Sequence, residues 1–231
     1  MRLSRTGGAG VAYFLFGLAW VFGAAPPGPA WAYVVWFAIV AGAGSLVPGV
    51  ANQVSLARAY LAAPALAYSL EPGQLGYLAV AIALAGLTDL VDGTIARRFD
   101  RPSSLGGALD PVVDGVFMGA VTIGLASGGA IPWWLAAVVV LRYGLPAVVG
   151  GLLIAIGRAP ELRHTLTGQV STVLNLVLIG GIALLRGLKQ DPGALVVGAE
   201  VAIPIAAVAT WVHLAWAAGQ RRRPVAAPGP G

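Results

Sequence analysis

Eight apolar stretches dominate this chain of 231 residues, at about 11–25, 31–49, 54–70, 76–98, 107–127, 131–157, 167–186 and 194–219. A helix needs roughly 20 apolar residues to cross the hydrocarbon core of a bilayer. Backbone polar groups find no water there, so each such stretch must close its own hydrogen bonds as a helix. Composition points the same way, with 58% hydrophobic residues, 10% charged residues and a mean hydropathy of +0.84. Soluble domains carry about a quarter charged residues. Nine acids and fourteen bases cannot cover a water-soluble globule of this size. That argues against a soluble enzyme, and the apolar content excludes a disordered chain. The expected fold class is all-α, a polytopic membrane helical bundle.

Proline and glycine punctuate the stretches at Pro26–Pro29, Glu71-Pro72-Gly73 and Asp191-Pro192-Gly193, which read as turns at the membrane face. The first stretch follows Arg2 and Arg5 and also resembles a signal peptide. A retained hairpin is the preferred reading, because a second long apolar segment follows Pro29 closely. With eight spans both termini share one side. That side collects Arg2, Arg5, Arg58, Arg97, Arg98, Arg101, Arg158, Arg163, Arg221, Arg222 and Arg223, against Arg186 and Lys189 on the other. Eleven against two places both ends in the cytoplasm by the positive-inside rule. The pI near 10.1 suits a face pressed against anionic lipid. No nucleic-acid partner is expected, since aromatics and bases do not interleave. Residues 220–231 read as a basic, disordered tail.

Five of the nine acids fall in the 26 residues from Asp89 to Asp114. Asp89 and Asp92 are spaced i,i+3 and share one helix face; Asp110 and Asp114 are spaced i,i+4 and share another. The connection between the two helices is short, so they are expected to be antiparallel neighbours whose four carboxylates converge. Uncompensated, these groups would repel each other and protonate. Divalent metal is the economical compensation. Without cysteine and with two histidines, the ion is a hard one on oxygen ligands, one or two Mg²⁺ or Mn²⁺. Two such ions can clamp a pyrophosphate. Gly93 and Ala96 leave a bare patch beside the acids, suited to a flat ligand or to close helix packing. Arg97 offers a planar fork for phosphate oxygens, and Gly106-Gly107 opens the next helix with free N–H groups. Taken singly, the acids also fit an ion or proton relay, and Arg97, Arg98 and Arg101 also fit ordinary membrane anchors.

The pattern Asp89-x2-Asp92-Gly93-x2-Ala96-Arg97-x8-Gly106-x3-Asp110-x3-Asp114 resembles the signature of the CDP-alcohol phosphatidyltransferase family at every defined position. Asn52–Arg58 with Pro64 is similar to the segment that opens that family's first core helix, and Thr165–Asn175 to a diverged form of its fifth. The resemblance implies a six-helix core over residues 51–219 and an added N-terminal transmembrane hairpin over 1–50. It implies an integral, multi-pass protein of the cell (inner) membrane with a cytoplasmic active site. The reaction implied is transfer of a phosphatidyl group from CDP-diacylglycerol to an alcohol, with release of CMP. Asp89, Asp92 and Asp110 would ligate metal. Asp114 would be a second-metal ligand, the general base, or both. Asp92, Gly93, Ala96 and Gly106 would accommodate the cytidine nucleotide, and Arg97 would contact its phosphates. A homodimer is a family expectation.

Pro111 after Asp110, and the run ALAGLTDLVDG, resemble the phosphatidylglycerophosphate and cardiolipin synthase branch. The resemblance implies an acceptor of the glycerol 3-phosphate or phosphatidylglycerol type, with inositol phosphate or serine as the alternative; that branch usually carries Lys after the last Asp, and Gly115 here removes a cation that could hold the phosphate of glycerol 3-phosphate. Arg142 lies inside a span, where an arginine is functional by default; Arg142, Arg158 and Arg163 are the candidate acceptor contacts. An ion-coupled transporter and a catalytically dead scaffold are the competing readings. The first predicts acids spread through the membrane depth, and the second predicts a lost acid.

Overall fold

The computed structural model describes residues 7–46, 49–99, 104–155 and 166–220; the side chains of 7, 51, 89–99, 104–108, 110, 147, 150–155, 166 and 217–220 lie outside the description. All eight long elements in that set are helices: α1 (Gly7–Ala24), α2 (Ala30–Leu46), α3 (Val50–Leu70), α4 (Leu75–Phe99), α5 (Ser104–Ser127), α6 (Trp133–Ala155), α7 (Leu166–Gly187) and α8 (Gly193–Gln220). A 3₁₀ turn at Pro72–Gln74 joins α3 to α4, at the turn expected from Glu71-Pro72-Gly73. The described residues contain no strand.

Helix ends follow local chemistry. Gly129 takes φ 69°, and the Ala130 N–H then donates back to the Leu125 carbonyl at 2.7 Å. This left-handed residue closes α5 as C-terminal glycines do. Lys189 plays the same part after α7 at φ 59°, with Gln190 N–H on the Leu185 carbonyl at 2.8 Å. Arg186 Nη2 donates to the Ala130 carbonyl at 3.2 Å and so ties these two turns together.

Packing closes α3 to α8 into a ring: α3 on α5, α5 on α6, α6 on α8, α8 on α7, α7 on α4 and α4 on α3. Phe117, Met118, Val121 and Leu125 of α5 fill its centre with Leu78 and Ile82 of α4, Leu135 and Val139 of α6, and Ile179 and Ile182 of α7. The α1–α2 hairpin packs outside the ring, against α3. Phe37, Tyr33 and Val21 of the hairpin bury Leu56, Ala59, Tyr60 and Ala63 of α3.

Apolar side chains also cover the outside. Val197, Val201, Ile205, Val208, Val212 and Trp216 form an exposed stripe along α8, and Val170, Val173, Val177 and Leu184 one along α7. Thr167–Gly187 and Gly193–Trp216 are long and apolar enough to cross a membrane, and less than a third of each is buried within the protein. The core helix of a soluble protein is mostly buried. An exposed apolar face of this length belongs in lipid, and the chain is a membrane protein.

α4 and α5 were expected to be direct antiparallel neighbours. Over the described residues both pack instead along α3. A short connection fixes only the ends it joins, and α3 fills the space between the two helices further along.

Candidate active site

Backbone register sets the depth of the aspartates. Asp89 lies ten residues before the end of α4 at Phe99, and Asp114 lies ten residues after the start of α5 at Ser104. Asp92 and Asp110 lie seven and six residues from the same ends. At 1.5 Å per residue the outer pair is about 15 Å from the connection and the inner pair about 10 Å. The antiparallel helices thus carry the four acids to two shared levels. The side chains of Asp89, Asp92, Gly93, Ala96, Arg97, Gly106 and Asp110 lie outside the described set, as do Arg158 and Arg163 altogether. Among the described residues no three His, Cys, Asp or Glu side chains come together to hold a metal.

Asp114 is the acid whose surroundings are defined. Its side chain is 15% exposed, and its Oδ1 lies 3.1 Å from Nη1 of Arg58, which is only 3% exposed. Residue counting placed Arg58 among the cytoplasmic cations. Arg58 stands two turns inside α3 and is paired there with an acid of the site. The one signal of this role in the sequence is the position of Arg58 in the segment that resembles the opening of the first core helix.

α3 is clasped on the far side by the hairpin. Gln53 Nε2 donates to the Gly44 carbonyl at 2.6 Å, Trp36 Nε1 to the Ala59 carbonyl at 2.9 Å, and the Tyr60 hydroxyl to the Gly10 carbonyl at 3.2 Å. These bonds lie before and after Arg58 along the helix.

On the α6 side, Gly115 faces Tyr143. A Cβ at position 115 would stand 2.9 Å from the Tyr143 Cβ. Real Cβ atoms do not approach that closely, so a side chain here requires α6 to move. Behind this contact Arg142 is 5% exposed. Its Nη2 donates to the Gly168 carbonyl at 2.9 Å and to Thr172 Oγ1 at 3.0 Å, and its guanidinium lies 4.2 Å from the Tyr143 ring centre. Asn175 of α7 is fully buried near the Tyr143 hydroxyl, and neither its amide oxygen nor its nitrogen closes a hydrogen bond within the described set. A crevice of about 10 Å³, near the size of one water, is lined by Arg58, Asp114, Phe117, Met118 and Thr172. His213 has Nδ1 3.0 Å from Thr167 Oγ1 and so links α8 to α7.

A wider open cleft of about 460 Å³ lies between the α5–α6 and α7–α8 turns, lined by Ile131, Pro132, Arg186, Asp191 and Pro192. Neither Asp114 nor Arg142, the sequence-predicted site residues whose side chains are described, lines it.

The arrangement holds one carboxylate, Asp114, against a buried guanidinium and beside a crevice lined by Phe117, Met118 and Thr172. Asp89, Asp92 and Asp110 are related to it here by backbone register alone. The model of the CDP-alcohol phosphatidyltransferase family matches residues 49–218, from the start of α3 almost to the end of α8. Among curated relatives, the cardiolipin synthase (CMP-forming) of Streptomyces coelicolor is 30% identical over 141 residues, 61% of this chain and 60% of that protein. The protein of the same name from Rattus norvegicus is 32% identical over 144 residues, 55% of this chain and 47% of that protein. A Mycobacterium tuberculosis protein named probable phosphatidylglycerophosphate synthase is 30% identical over 124 residues, 53% of this chain and 58% of that protein. The chain thus spans about half the length of the curated relatives it matches. No solved structure matches it. Because the family match covers well over half of the chain and takes in the whole aspartate pattern, this chain belongs to the CDP-alcohol phosphatidyltransferase family.

Proposed function

We propose that the chain transfers the phosphatidyl group of CDP-diacylglycerol to a hydroxyl of phosphatidylglycerol and releases CMP. The observation that carries the acceptor is the contact between Gly115 and Tyr143. Glycerol 3-phosphate brings a dianionic phosphate monoester that needs a cation, and the phosphatidylglycerophosphate and cardiolipin synthase branch usually places Lys directly after the last aspartate. Here that position has no room for one, with 2.9 Å between a built Cβ and the Tyr143 Cβ. Phosphatidylglycerol brings a phosphodiester already at home in the bilayer, and its demand for local positive charge is smaller. Cardiolipin synthases among the relatives agree with this choice.

Asp89, Asp92, Asp110 and Asp114 fit one or two Mg²⁺ or Mn²⁺ ions, because four carboxylates at two shared depths form a hard, all-oxygen donor set. When bound, such ions neutralise the pyrophosphate and the charge that builds on the departing CMP. Asp92 stands at the nucleotide, Gly93, Ala96 and Gly106 leave space for it, and Arg97 donates to its phosphates. Asp114 takes the proton of the acceptor hydroxyl. The hydroxyl oxygen bonds to the phosphatidyl phosphorus, the phosphoanhydride P–O bond breaks, and CMP leaves with the electron pair. Arg142 directs its donors to α7 and so fixes the helix that borders the acceptor side. Arg158 and Arg163 remain the cations proposed to meet an acceptor phosphate. In this reading α3 to α8 form the transferase unit, preceded by a two-span hairpin. The charge asymmetry puts the site at the cytoplasmic face of the inner membrane.

The test is purified protein in lipid nanodiscs with CDP-diacylglycerol and Mg²⁺ or Mn²⁺. Phosphatidylglycerol, glycerol 3-phosphate, serine and inositol phosphate are supplied in turn. CMP release with phosphatidylglycerol and appearance of cardiolipin by mass spectrometry are expected. Product formed from glycerol 3-phosphate alone would overturn the acceptor, and no CMP with any alcohol would overturn the reaction.

A further inference from the structure

On the reading that the chain transfers a phosphatidyl group, we infer that Arg58 is a positioning residue that sets the pose of Asp114 toward the acceptor hydroxyl, and that the N-terminal hairpin holds Arg58 in place. The Arg58 guanidinium reaches one oxygen of Asp114, Oδ1, at 3.1 Å. That contact fixes the orientation of the carboxylate. Both groups sit in a low-dielectric interior, where a paired charge is held firmly and an orphaned one is costly.

Arg58 itself has little freedom. It is 3% exposed, and α3 packs on α4 and α5 along its inner side. On its outer side the hairpin fixes α3 before and after Arg58, through Gln53 on Gly44 and Trp36 on Ala59. The stack of Tyr13 on Tyr60, with ring centres 4.7 Å apart, adds a third anchor. A shift of α3 along its axis would move the guanidinium and swing the carboxylate. Misplacement of a reacting group by about 1 Å costs on the order of 100-fold in rate. Arg58 acts through Asp114, the group proposed to take the proton of the acceptor hydroxyl, so its effect should fall on the acceptor step rather than on capture of CDP-diacylglycerol.

The experiment compares Arg58→Lys and Arg58→Gln with wild type in nanodiscs. It measures kcat, the KM for CDP-diacylglycerol and the thermal midpoint. Arg58→Lys keeps the cation and loses the planar fork, so kcat is expected to fall about tenfold, with Arg58→Gln down by about 100-fold. The KM for CDP-diacylglycerol should stay within about threefold in both, as for an interaction made in the transition state. Should Arg58→Gln fail to insert, Arg58→Lys decides alone. Normal kcat in a folded Arg58→Lys variant would overturn the proposal. So would a rise in KM that accounts for the whole loss of kcat/KM, because that is the mark of lost substrate binding, and a kcat loss matched by a collapse of the thermal midpoint, because that is the mark of general structural damage. Wild-type protein that released no CMP would instead refute the underlying transferase reading.

Discussion

Arg142 of α6 donates its Nε–H to Ser171 Oγ of α7 over 2.7 Å, with both residues buried. An arginine at mid-span is expensive unless the bundle satisfies it, and here α7 does so with a hydroxyl pair and a backbone carbonyl. The pair therefore joins two helices that would otherwise meet through few polar contacts. Arg142→Ala should remove the three hydrogen bonds to Ser171, Gly168 and Thr172 and open a void, at a cost of about 3 kcal/mol. Arg142→Met fills the space and should cost less. Thermal denaturation of both variants in detergent checks the order. Equal midpoints for Arg142→Ala and wild type would remove the staple role.

Gly124 of α5 meets Ser69 of α3 so closely that a Cβ built on it would stand 1.6 Å from Ser69 Oγ and 2.7 Å from its Cβ. Small residues at helix crossings allow this approach in membranes. Gly124→Ala must push α3 and α5 apart, at about 1–3 kcal/mol by the usual cost of overpacking. Ser69→Gly in the same chain should recover most of the loss. The same melting measurement reads both, and a Gly124→Ala protein as stable as wild type would show that the crossing yields freely.

Much of this fold is legible in the residues because a bilayer leaves one solution for long apolar runs. The helix ends at Gly129 and Pro72 follow turn chemistry that any chain shows. The depths of Asp89, Asp92, Asp110 and Asp114 also follow from helix rise and a short connection. What could not be read is lateral placement. Helical periodicity is weak where all faces are apolar, so nothing in the sequence says that α3 lies along both α4 and α5. The partner of Arg58 is equally hidden in the sequence, where this arginine reads as one of the cations on the side of the termini. Its partner lies 56 residues away on α5, and only the packed ring brings them together.

Gly115 carries a prediction about acceptor choice. Gly115→Lys restores the residue usual in the glycerol 3-phosphate branch, but α6 stands in the way at Tyr143. The variant should therefore lose transfer to phosphatidylglycerol by about tenfold or more through displacement of Asp114, without gaining use of glycerol 3-phosphate. Gly115→Ala, with one methyl to place, should melt lower by about 1–3 kcal/mol. Parallel assays with the two acceptors check this. A Gly115→Lys enzyme that turned over glycerol 3-phosphate well would show that α6 can give way, and the steric argument for the acceptor would fall.

Asp114→Asn separates the proton transfer from the metal requirement. Asn keeps an oxygen for Arg58 Nη1 and has nearly the same shape, so the protein should still insert and bind CDP-diacylglycerol. It cannot accept the acceptor's proton, and removal of a general base costs about 100-fold or more. Chelation acts differently. EDTA should abolish CMP release in wild type and also weaken nucleotide binding, because the pyrophosphate then faces the aspartates without their cations. Mg²⁺ or Mn²⁺ added back should restore both. Binding of CDP-diacylglycerol, measured with and without chelator for wild type and Asp114→Asn, distinguishes the two roles. If the variant bound the nucleotide as weakly as chelated wild type, Asp114 would belong chiefly to the metal and not to the base.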